Sequence, residues 1–262
     1  MDTVNRAELL GLPFDPATMK SAVDRCMQWC EEPRAPHIVV TANASILCMM
    51  RRDRDLASAC KEGDLILADG MSVVWALRAA GTAVPERVTG VDLMAELLAA
   101  AAARRLRIYL LGAKHEVVSE LARLCQERYP GVVIAGFRDG YFSPADHSAI
   151  VEEIRESKPD ILFIGMQSPF KETWAAQHQK RLDVPVIMGV GGSFDVHAGY
   201  VIRAPRLFRS TGMEWFWRLL MEPRKMWKRY LMTNTEFIWV AGREIVARRL
   251  GIKPSKPSIT TH

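Results

Sequence analysis

Six short runs of apolar, often β-branched residues alternate with longer amphipathic segments over the first 190 residues of the chain. Strands that are apolar on both faces are typical of a parallel sheet covered by helices on each side. Turn-forming pairs such as Pro130-Gly131 separate the segments. The sequence therefore predicts an α/β fold. The predicted strands are His37–Thr41, Asp64–Ala68, Arg107–Gly112, Val132–Gly136, Asp160–Gly165 and Val184–Val190.

The strand pattern stops near Gly199, and the composition of the chain changes there. Residues 200–262 hold 13 Lys and Arg against 4 Asp and Glu, whereas residues 1–199 hold 22 against 26. Helical patterns then cover Met213–Met221, Pro223–Met232 and Glu236–Leu250. We predict a ligand-binding α/β domain at residues 1–199, a basic, Trp-rich helical appendage at 200–250 and a disordered tail at 251–262.

The basic appendage favours an anionic partner, which is phosphate, nucleic acid or an acidic membrane face. Tryptophans beside cations, as in Trp227-Lys228, are typical of a helix at a membrane interface. The alternative is a helical cap that packs its aromatic residues on the core. No nucleic-acid-binding motif occurs, so no nucleic-acid partner is expected. The chain has no run of 18 apolar residues and no signal pattern at its start, so we expect it not to span a membrane.

Cysteine usage and acidic spacing argue against a disulfide framework and a metal site. The five cysteines are odd in number and form no Cys-x-x-Cys pair, which fits a reduced cytosol. Asp53-Arg-Asp55 has the Asp-x-Asp spacing of many metal-dependent sugar transferases. Arg51, Arg52 and Arg54 surround it, however, which favours a solvated helix. The histidines show no metal-ligand spacing, and we expect neither a metal nor a cofactor.

Polar residues and glycines follow the predicted strands, where ligands of parallel sheets bind. Asp69-Gly70 follows the second strand, and its carboxylate would either point into the crevice or cap the next helix. Thr41-Ala-Asn43 follows the first strand and leaves the same two alternatives open. Gly112 and Gly191 come at the ends of later strands. Such a convergence is what a single active site needs.

Gly189-Val-Gly191-Gly192 partly matches the dinucleotide-binding glycine fingerprint. No strand follows it to carry the usual acidic residue, although Asp195 could accept hydrogen bonds from a ribose. A simple turn is the alternative. This loop is the basis of one candidate function, a nicotinamide-dependent oxidoreductase.

Many short motifs occur in a characteristic order between His37 and Tyr230. They are Thr41-x-Asn43, Asp69-Gly70, Glu86-Arg87-Val-Thr-Gly90-Val-Asp92, Leu111-Gly112, Gly140-Tyr141-Phe142, Gly165-Met-Gln-Ser-Pro169, Gly189-Val-Gly-Gly-x-Phe-Asp195, Arg203-Ala-Pro205, Glu214-Trp215-x-x-Arg218 and Glu222-Pro-Arg224. This order resembles the WecG/TagA/CpsF family of bacterial glycosyltransferases, glycosyltransferase family 26.

The resemblance implies an inverting, metal-independent enzyme. Such enzymes move N-acetylmannosamine, its uronic acid or glucose from a UDP donor to a polyprenyl-diphosphate-linked saccharide. Products of the family feed teichoic acid linkage units, capsules or exopolysaccharides. On this resemblance, residues 1–199 form a Rossmann-like catalytic domain that binds a nucleotide sugar. The protein would be cytoplasmic and peripheral on the inner face of the cell membrane, docked there by residues 200–250. A homo-oligomer is compatible with the sequence.

The resemblance also assigns expected roles to residues of the site. Asp69 would be the general base that deprotonates the acceptor hydroxyl. Thr41 and Asn43 would orient the acceptor or the donor sugar, and Arg87 would stabilise the leaving UDP. The expected nucleotide-binding residues are Tyr141, Gly112, Lys171, Glu172, Gly191, Gly192 and Asp195, in which Tyr141 stacks on uracil and Asp195 binds ribose. The expected diphosphate- or membrane-binding residues are Arg203, Arg206, Arg218, Arg224, Lys228 and Arg229.

One position departs from the family pattern. The family usually has Pro-Lys-Gln-Glu where this chain has Pro169-Phe170-Lys171-Glu172. Lys171 thus places a charged donor where a neutral amide is usual. Two alternatives stay open: Lys171 binds a phosphate or a uronate, or the family's lysine is simply shifted by one place. A module of a polysaccharide assembly machine that has lost catalysis is the non-enzymatic alternative, and this departure is its support.

Overall fold

The structure is a computed structural model that describes residues 6–205, 208, 214–221 and 223–250. The strands are β1 (Ala7–Leu9), β2 (Leu12–Phe14), β3 (His37–Ala42), β4 (Leu65–Ala68), β5 (Arg107–Gly112), β6 (Val133–Arg138), β7 (Ile161–Gly165) and β8 (Val186–Gly189). The last six form one parallel sheet in the order β4-β3-β8-β7-β5-β6. All six predicted strands are confirmed, and their ends differ from the prediction by at most two residues.

Helices cover both faces of the sheet, as predicted. They are α1 (Met19–Glu31), α2 (Ala44–Met50), α3 (Arg54–Lys61), α4 (Met71–Ala79), α5 (Gly90–Arg104), α6 (His115–Arg128), α7 (His147–Glu156), α8 (Phe170–Leu182), α9 (Ser193–His197), α10 (Glu214–Met221) and α11 (Pro223–Arg249). One core lies between the sheet and α1, α5, α6 and α9. The other core lies on the opposite face, against α2, α3, α4, α7 and α8.

Side-chain caps explain where several of these helices begin. Asn43 Oδ1 accepts a hydrogen bond from Ile46 N at the start of α2, and Asp53 Oδ1 accepts one from Leu56 N at the start of α3. Thr89 Oγ1 accepts one from Asp92 N at the start of α5. Each cap satisfies a backbone N–H that has no partner inside its own helix. The caps on α2 and α5 therefore fix where two helices beside the predicted site begin.

The strand order creates a switch point between β5 and β7. The chain runs from β5 through α6 to β6 on one side, and from β7 through α8 to β8 on the other. Because the two connections leave in opposite directions, the carboxyl ends of β5 and β7 border a crevice. This is the usual ligand position in an open parallel sheet.

An antiparallel hairpin precedes the first predicted strand, and the sequence reasoning missed it. β1 and β2 pair through Ala7↔Phe14 and Leu9↔Leu12, and all four side chains are buried. Leu10 and Gly11 form the turn with positive φ angles of 51° and 77°, which suits a tight two-residue hairpin loop. Strands of three residues are too short to give a clear periodic pattern.

The C-terminal helical segment differs from its prediction. Two helices separated near Met232 were expected, whereas α11 runs without a break from Pro223 to Arg249. Phe237 and Ala241 are buried in the same core as α2 and α4, and this packing overrides the low helix propensity of the intervening Thr and Asn residues. None of the described helices is long and apolar enough to cross a lipid bilayer. The predicted tail at 251–262 lies outside the described residues.

Candidate active site

The carboxylate of Asp69 lies at the first turn of α5. Gly90 N–H donates to Asp69 Oδ2 at 3.3 Å, and Val88 N–H donates to the carbonyl of Ala68 at 3.1 Å. The segment before α5 therefore runs beside the end of β4. The N-cap of α4 is Gly70, with φ of 125° that favours glycine, so the capping alternative for Asp69 is not realised. The partial positive charge of a helix N-terminus stabilises a carboxylate in this position.

Thr41 and Asn43 lie beside Asp69, at the end of the neighbouring strand. A Cβ on Gly90 would stand 3.1 Å from Thr41 Oγ1 and 3.8 Å from Asp69 Oδ2. A Cβ on Gly70 would stand 3.9 Å from the Cβ of Asn43. The Thr41 side chain is almost fully buried, and Asn43 caps α2 through its oxygen. Glycine at position 90 thus lets the threonine hydroxyl and the carboxylate approach the same backbone segment.

Arg87 and Arg203 connect this segment to the chain that follows Gly199. Arg87 Nη1 donates to Glu214 Oε2 at 2.8 Å, and Arg203 Nη2 donates to Asp92 Oδ1 at 2.5 Å. Asp92 also accepts a hydrogen bond from Thr89. Arg203 Nε is buried and has no hydrogen-bond partner among the described residues. Arg87 and Arg203, two of the arginines expected to contact phosphate, are therefore already oriented by carboxylates.

Glycines form the carboxyl ends of the strands at the switch point. A Cβ on Gly112, where φ is 118°, would come within 2.8 Å of the backbone of Gly165. A Cβ on Gly140 would come within 3.1 Å of Gly112 Cα. Gly165 is equally restricted, because a Cβ added to it would lie 2.4 Å from the ring of Phe194. The three glycines allow three backbone segments to pack where side chains would collide.

The glycine loop after β8 lies next to this cluster. Val190 N–H and Gly191 N–H both donate to the carbonyl of Ile164, which ties the loop to β7. Gly191 has a φ of 53°, while a Cβ on Gly192 would meet nothing within 4 Å. Asp195 lies in α9, where its carbonyl accepts hydrogen bonds from Tyr200 and Val201. The open space at Gly192 fits the expected close approach of a nucleotide.

Lys171 and Glu172 are buried and paired with each other. Lys171 Nζ contacts Glu172 Oε1, and Ser168 Oγ donates to the same oxygen at 2.8 Å. Lys171 lies under the glycine loop, since its Cε would stand 3.6 Å from a Cβ on Gly191. Glu172 Oε2 is buried without a hydrogen-bond partner among the described residues. The expected phosphate or uronate contact of Lys171 would therefore have to compete with a buried ion pair.

Tyr141 is a largely exposed member of the predicted nucleotide-binding residues. The residue is 74% exposed, and its N–H donates to Asp139 Oδ1 at 3.0 Å. The preceding Gly140 N–H donates to the carbonyl of Ala113, which fixes the loop beside the end of β5. The next residue, Phe142, packs edge-to-face against His147 and Phe170. An exposed ring on an anchored loop fits a stacking role.

Several other predictions fall on surfaces or outside the description. Asp53 caps α3 and the Asp55 side chain is exposed, so the Asp-x-Asp spacing has a structural explanation. Arg206 lies outside the described residues. The backbones of Arg218, Arg224, Lys228 and Arg229 lie in α10 and α11, but their side chains lie outside the description. No group of three or more His, Cys, Asp or Glu among the described residues has the arrangement of a metal site.

Sequence reasoning gave no role to three residues that shape the site. Thr89, Asp92 and Glu214 lie within the recognised motifs, but their contacts are visible only in the fold. A Thr-x-x-Asp pattern just before an apolar run signals a capped helix start, and this signal could have placed Thr89 and Asp92. Glu214 lies 127 residues from its partner Arg87, and no local pattern predicts that pairing.

The protein has an α/β fold whose strand ends carry a candidate ligand site of an acid, an arginine and glycine loops. The chain belongs to the glycosyl transferase WecG/TagA/CpsF family, whose family model matches residues 7–251. This confirms the resemblance and makes the protein a glycosyltransferase. The nicotinamide-dependent oxidoreductase suggested by the glycine loop is a different class of enzyme.

Curated relatives of this chain carry one specific name. A Bacillus subtilis (strain 168) protein is 30% identical over 245 residues, which cover 94% of each chain. A Staphylococcus aureus (strain MW2) protein is 34% identical over 225 residues, which cover 86% of each chain. Both are named N-acetylglucosaminyldiphosphoundecaprenol N-acetyl-beta-D-mannosaminyltransferase. The similarity therefore extends over almost the whole length of the chain.

Proposed function

We propose that this protein transfers an N-acetylmannosamine-type sugar from a UDP donor to N-acetylglucosamine linked to a polyprenyl diphosphate. The observation that carries the proposal is the meeting of Asp69, Thr41 and the Gly90 amide at one edge of the sheet. The names of both relatives specify this sugar and this acceptor. The final product would belong to a bacterial cell-surface polysaccharide.

Asp69 would act as the general base. It takes the proton from the acceptor hydroxyl while that oxygen bonds to the anomeric carbon of the donor. The bond between this carbon and the UDP oxygen breaks in the same displacement, so the configuration is inverted. Gly90 N–H keeps the carboxylate in place, and the nearby Thr41 hydroxyl would orient a sugar. An α-linked donor would then give a β product, as the relatives' names specify.

Arg87 would stabilise the negative charge that develops on the leaving UDP. Its side chain is 14% exposed, so water screens its charge weakly and a phosphate in contact with it would be held strongly. Gly191 N–H is bound to the carbonyl of Ile164, so the backbone donor that this loop would add is the N–H of Gly192. In this mechanism positive side chains and amides replace a metal ion. Turnover should therefore persist in EDTA.

The acceptor lipid would bring the protein to a membrane surface. The outward side of α11 is apolar and more than half exposed at Met232, Ile238, Trp239 and Val246. Both glutamates of the described part of α11 turn inward, since Glu236 pairs with Arg51 and Arg52 and Glu244 accepts from Leu10 N–H. The exposed face of α11 therefore combines these apolar residues with the exposed Arg243, which suits anionic lipid. Replacing Ile238 and Trp239 by serine should reduce co-sedimentation with anionic vesicles.

The test of the proposed function is a donor panel with a defined acceptor. Purified protein is incubated in EDTA with UDP-sugars and a short-chain polyprenyl-diphosphate N-acetylglucosamine, and released UDP is measured. We expect acceptor-dependent release with UDP-N-acetylmannosamine and a β linkage in the product. UDP should raise the melting temperature, whereas NAD should not. UDP binding without release from any donor would favour the non-catalytic assembly module, and release that requires added metal would refute the metal-free mechanism.

A further inference from the structure

Two ion pairs of opposite polarity join the short segment before α5 to the chain after Gly199. In one pair the segment supplies the cation, Arg87, and the later chain supplies Glu214. In the other pair the segment supplies the anion, Asp92, and the later chain supplies Arg203. Between Arg87 and Asp92 lies Gly90, whose N–H binds Asp69. The chain after Gly199 therefore holds in place the segment from Arg87 to Asp92. This segment binds the candidate base, Asp69, and carries Arg87, the candidate residue that binds diphosphate.

The Arg87–Glu214 pair is largely withdrawn from water. The two side chains are 14% and 26% exposed, and the distance from Arg87 Nη1 to Glu214 Oε2 is 2.8 Å. Glu214 is the first residue of α10, where the helix dipole stabilises its negative charge. A guanidinium has five N–H donors in a fixed plane, so one carboxylate can orient it toward a second anion.

We propose that Glu214 is a positioning residue that orients Arg87 toward the diphosphate of the nucleotide donor. The inference rests on the proposed function and adds a residue to it. The backbone on the other side of Arg87 is already fixed, because Val88 N–H binds the carbonyl of Ala68. The direction of the guanidinium then depends on what its side chain contacts, and Glu214 supplies one such contact, a charged one. Loss of Glu214 should weaken donor binding, and this effect should disappear when Arg87 is absent.

In a simpler interpretation, Glu214 has only a structural role, which is to attach the C-terminal helices to the α/β domain. The chain offers a matched control for this. Glu236 of α11 also pairs with arginines of the α/β domain, Arg51 and Arg52, and its side chain is 21% exposed. These arginines flank the start of α3 and belong to no part of the candidate site. If the role is only structural, Glu214→Gln and Glu236→Gln should change donor affinity alike. If Glu214 positions Arg87, only Glu214→Gln should lower donor affinity.

The test is a double-mutant cycle on the full chain, scored by UDP affinity in titration calorimetry. This readout needs neither the acceptor nor turnover. Glu214→Gln should weaken UDP binding about tenfold, within the range measured for contacting charged residues. The same change in an Arg87→Ala background should have no further effect, and Glu236→Gln should have none. Glu214→Asp, which keeps the charge, should recover part of the affinity.

Three outcomes would overturn the role of Glu214. They are independent, multiplicative effects of Glu214→Gln and Arg87→Ala, an equal loss in Glu236→Gln, and unchanged affinity in Glu214→Gln. Thermal unfolding of each variant shows whether the fold is intact, and the near-isosteric glutamine keeps the packing. Where the chain turns over donor but the cycle shows no coupling, the proposed function stands and the positioning role falls. A wild-type chain that does not bind UDP would refute both.

Discussion

The two sides of the candidate site are built in different ways. At the ends of β3 and β4, the site consists of polar side chains. An amide binds Asp69, a carboxylate binds Arg87, and Thr41 lies beside Gly90. At the ends of β5, β7 and β8, the site is built from the absence of side chains at Gly112, Gly165 and Gly191. In the proposed function, the first side would supply charge and proton transfer. The second would supply space in which a flat nucleotide can approach the backbone.

This difference predicts separable effects of mutation. A change on the polar side should alter rate or affinity while the fold survives, because its residues lie at strand ends and helix starts rather than in the cores. A change on the glycine side should disturb packing first and ligand binding as a consequence, because backbone segments touch there. The predictions that follow test this separation.

Asp69→Asn should have the largest effect and should leave the fold intact. Asparagine keeps the shape of the side chain and its acceptance of the Gly90 N–H, but it cannot take a proton from the acceptor. We expect kcat to fall about 10²–10⁴-fold, the usual contribution of a general base. UDP affinity, measured by calorimetry, should change little. Wild-type turnover in Asp69→Asn would show that another group acts as base.

Lys171→Met should cause a large loss of stability on the glycine side. It leaves the Glu172 carboxylate buried without its ion partner, which costs about 3–5 kcal/mol when one member of a buried pair is removed. Urea unfolding measures the loss. The double variant Lys171→Met with Glu172→Gln removes both charges and should regain most of the stability. A single variant as stable as wild type would mean that the buried pair is not maintained in solution.

The same pair separates structure from ligand binding at Lys171. If Lys171 also contacts a donor phosphate, the double variant should be stable yet bind UDP more weakly than wild type. If the lysine serves only to support the glycine loop, stability and UDP affinity should recover together. Calorimetry on the double variant distinguishes these two results.

Gly112→Ala should destabilise the protein by a smaller but clear amount. Alanine is strained at a φ of 118°, and its Cβ would lie 2.8 Å from the backbone of Gly165. Strain and overpacking together should cost about 2–4 kcal/mol. Gly192→Ala is the matched control, because its Cβ would meet nothing within 4 Å. It should unfold like wild type yet weaken UDP binding; equal destabilisation in both variants would contradict the packing argument.

The sequence predicted the positions of the polar candidate residues better than the packing around the glycines. Asp69 and Arg87 could be chosen as candidates because polar residues at strand ends and ordered motifs are visible in the chain itself. The strands were predictable for the same reason, since β3 to β8 are short, continuous apolar runs. The Lys171–Glu172 pair was not predictable, because charged residues are seldom buried and their burial depends on packing between α8 and distant segments.

The contacts of the C-terminal segment were also beyond the sequence. The continuity of α11 depends on burial of Phe237 and Ala241 against α2 and α4, and local propensity favoured a break instead. The Arg87–Glu214 and Arg203–Asp92 pairs each join residues more than a hundred positions apart. Tertiary packing creates these contacts, so composition could show only that this segment was basic and aromatic.

His197 connects the two sides and gives the smallest predicted effect. It lies in α9 after the glycine loop, and its Nε2 bonds the carbonyl of Val91 in the segment that carries Gly90. Burial lowers the pKa of His197, and the positive charges of Arg203 and Arg128 lower it further, against the hydrogen bond to Val91 and the charge of Asp92, which raise it. The folded state therefore favours the neutral ring, with Nε2–H donating to Val91.

The sign of the pH effect follows from this lowered pKa. The unfolded chain, with a His pKa of about 6.5, binds the proton more readily than the folded one. The stability contributed by the neutral ring is thus present above pH 6.5 and is lost as the pH falls from there toward the folded-state pKa. His197→Gln can keep a side-chain N–H near Val91 and does not titrate. Its melting temperature should fall less than that of wild type between pH 7 and pH 5.5, a range that spans the reference pKa of histidine. Identical pH profiles for the two proteins would show that folding does not lower the pKa of His197.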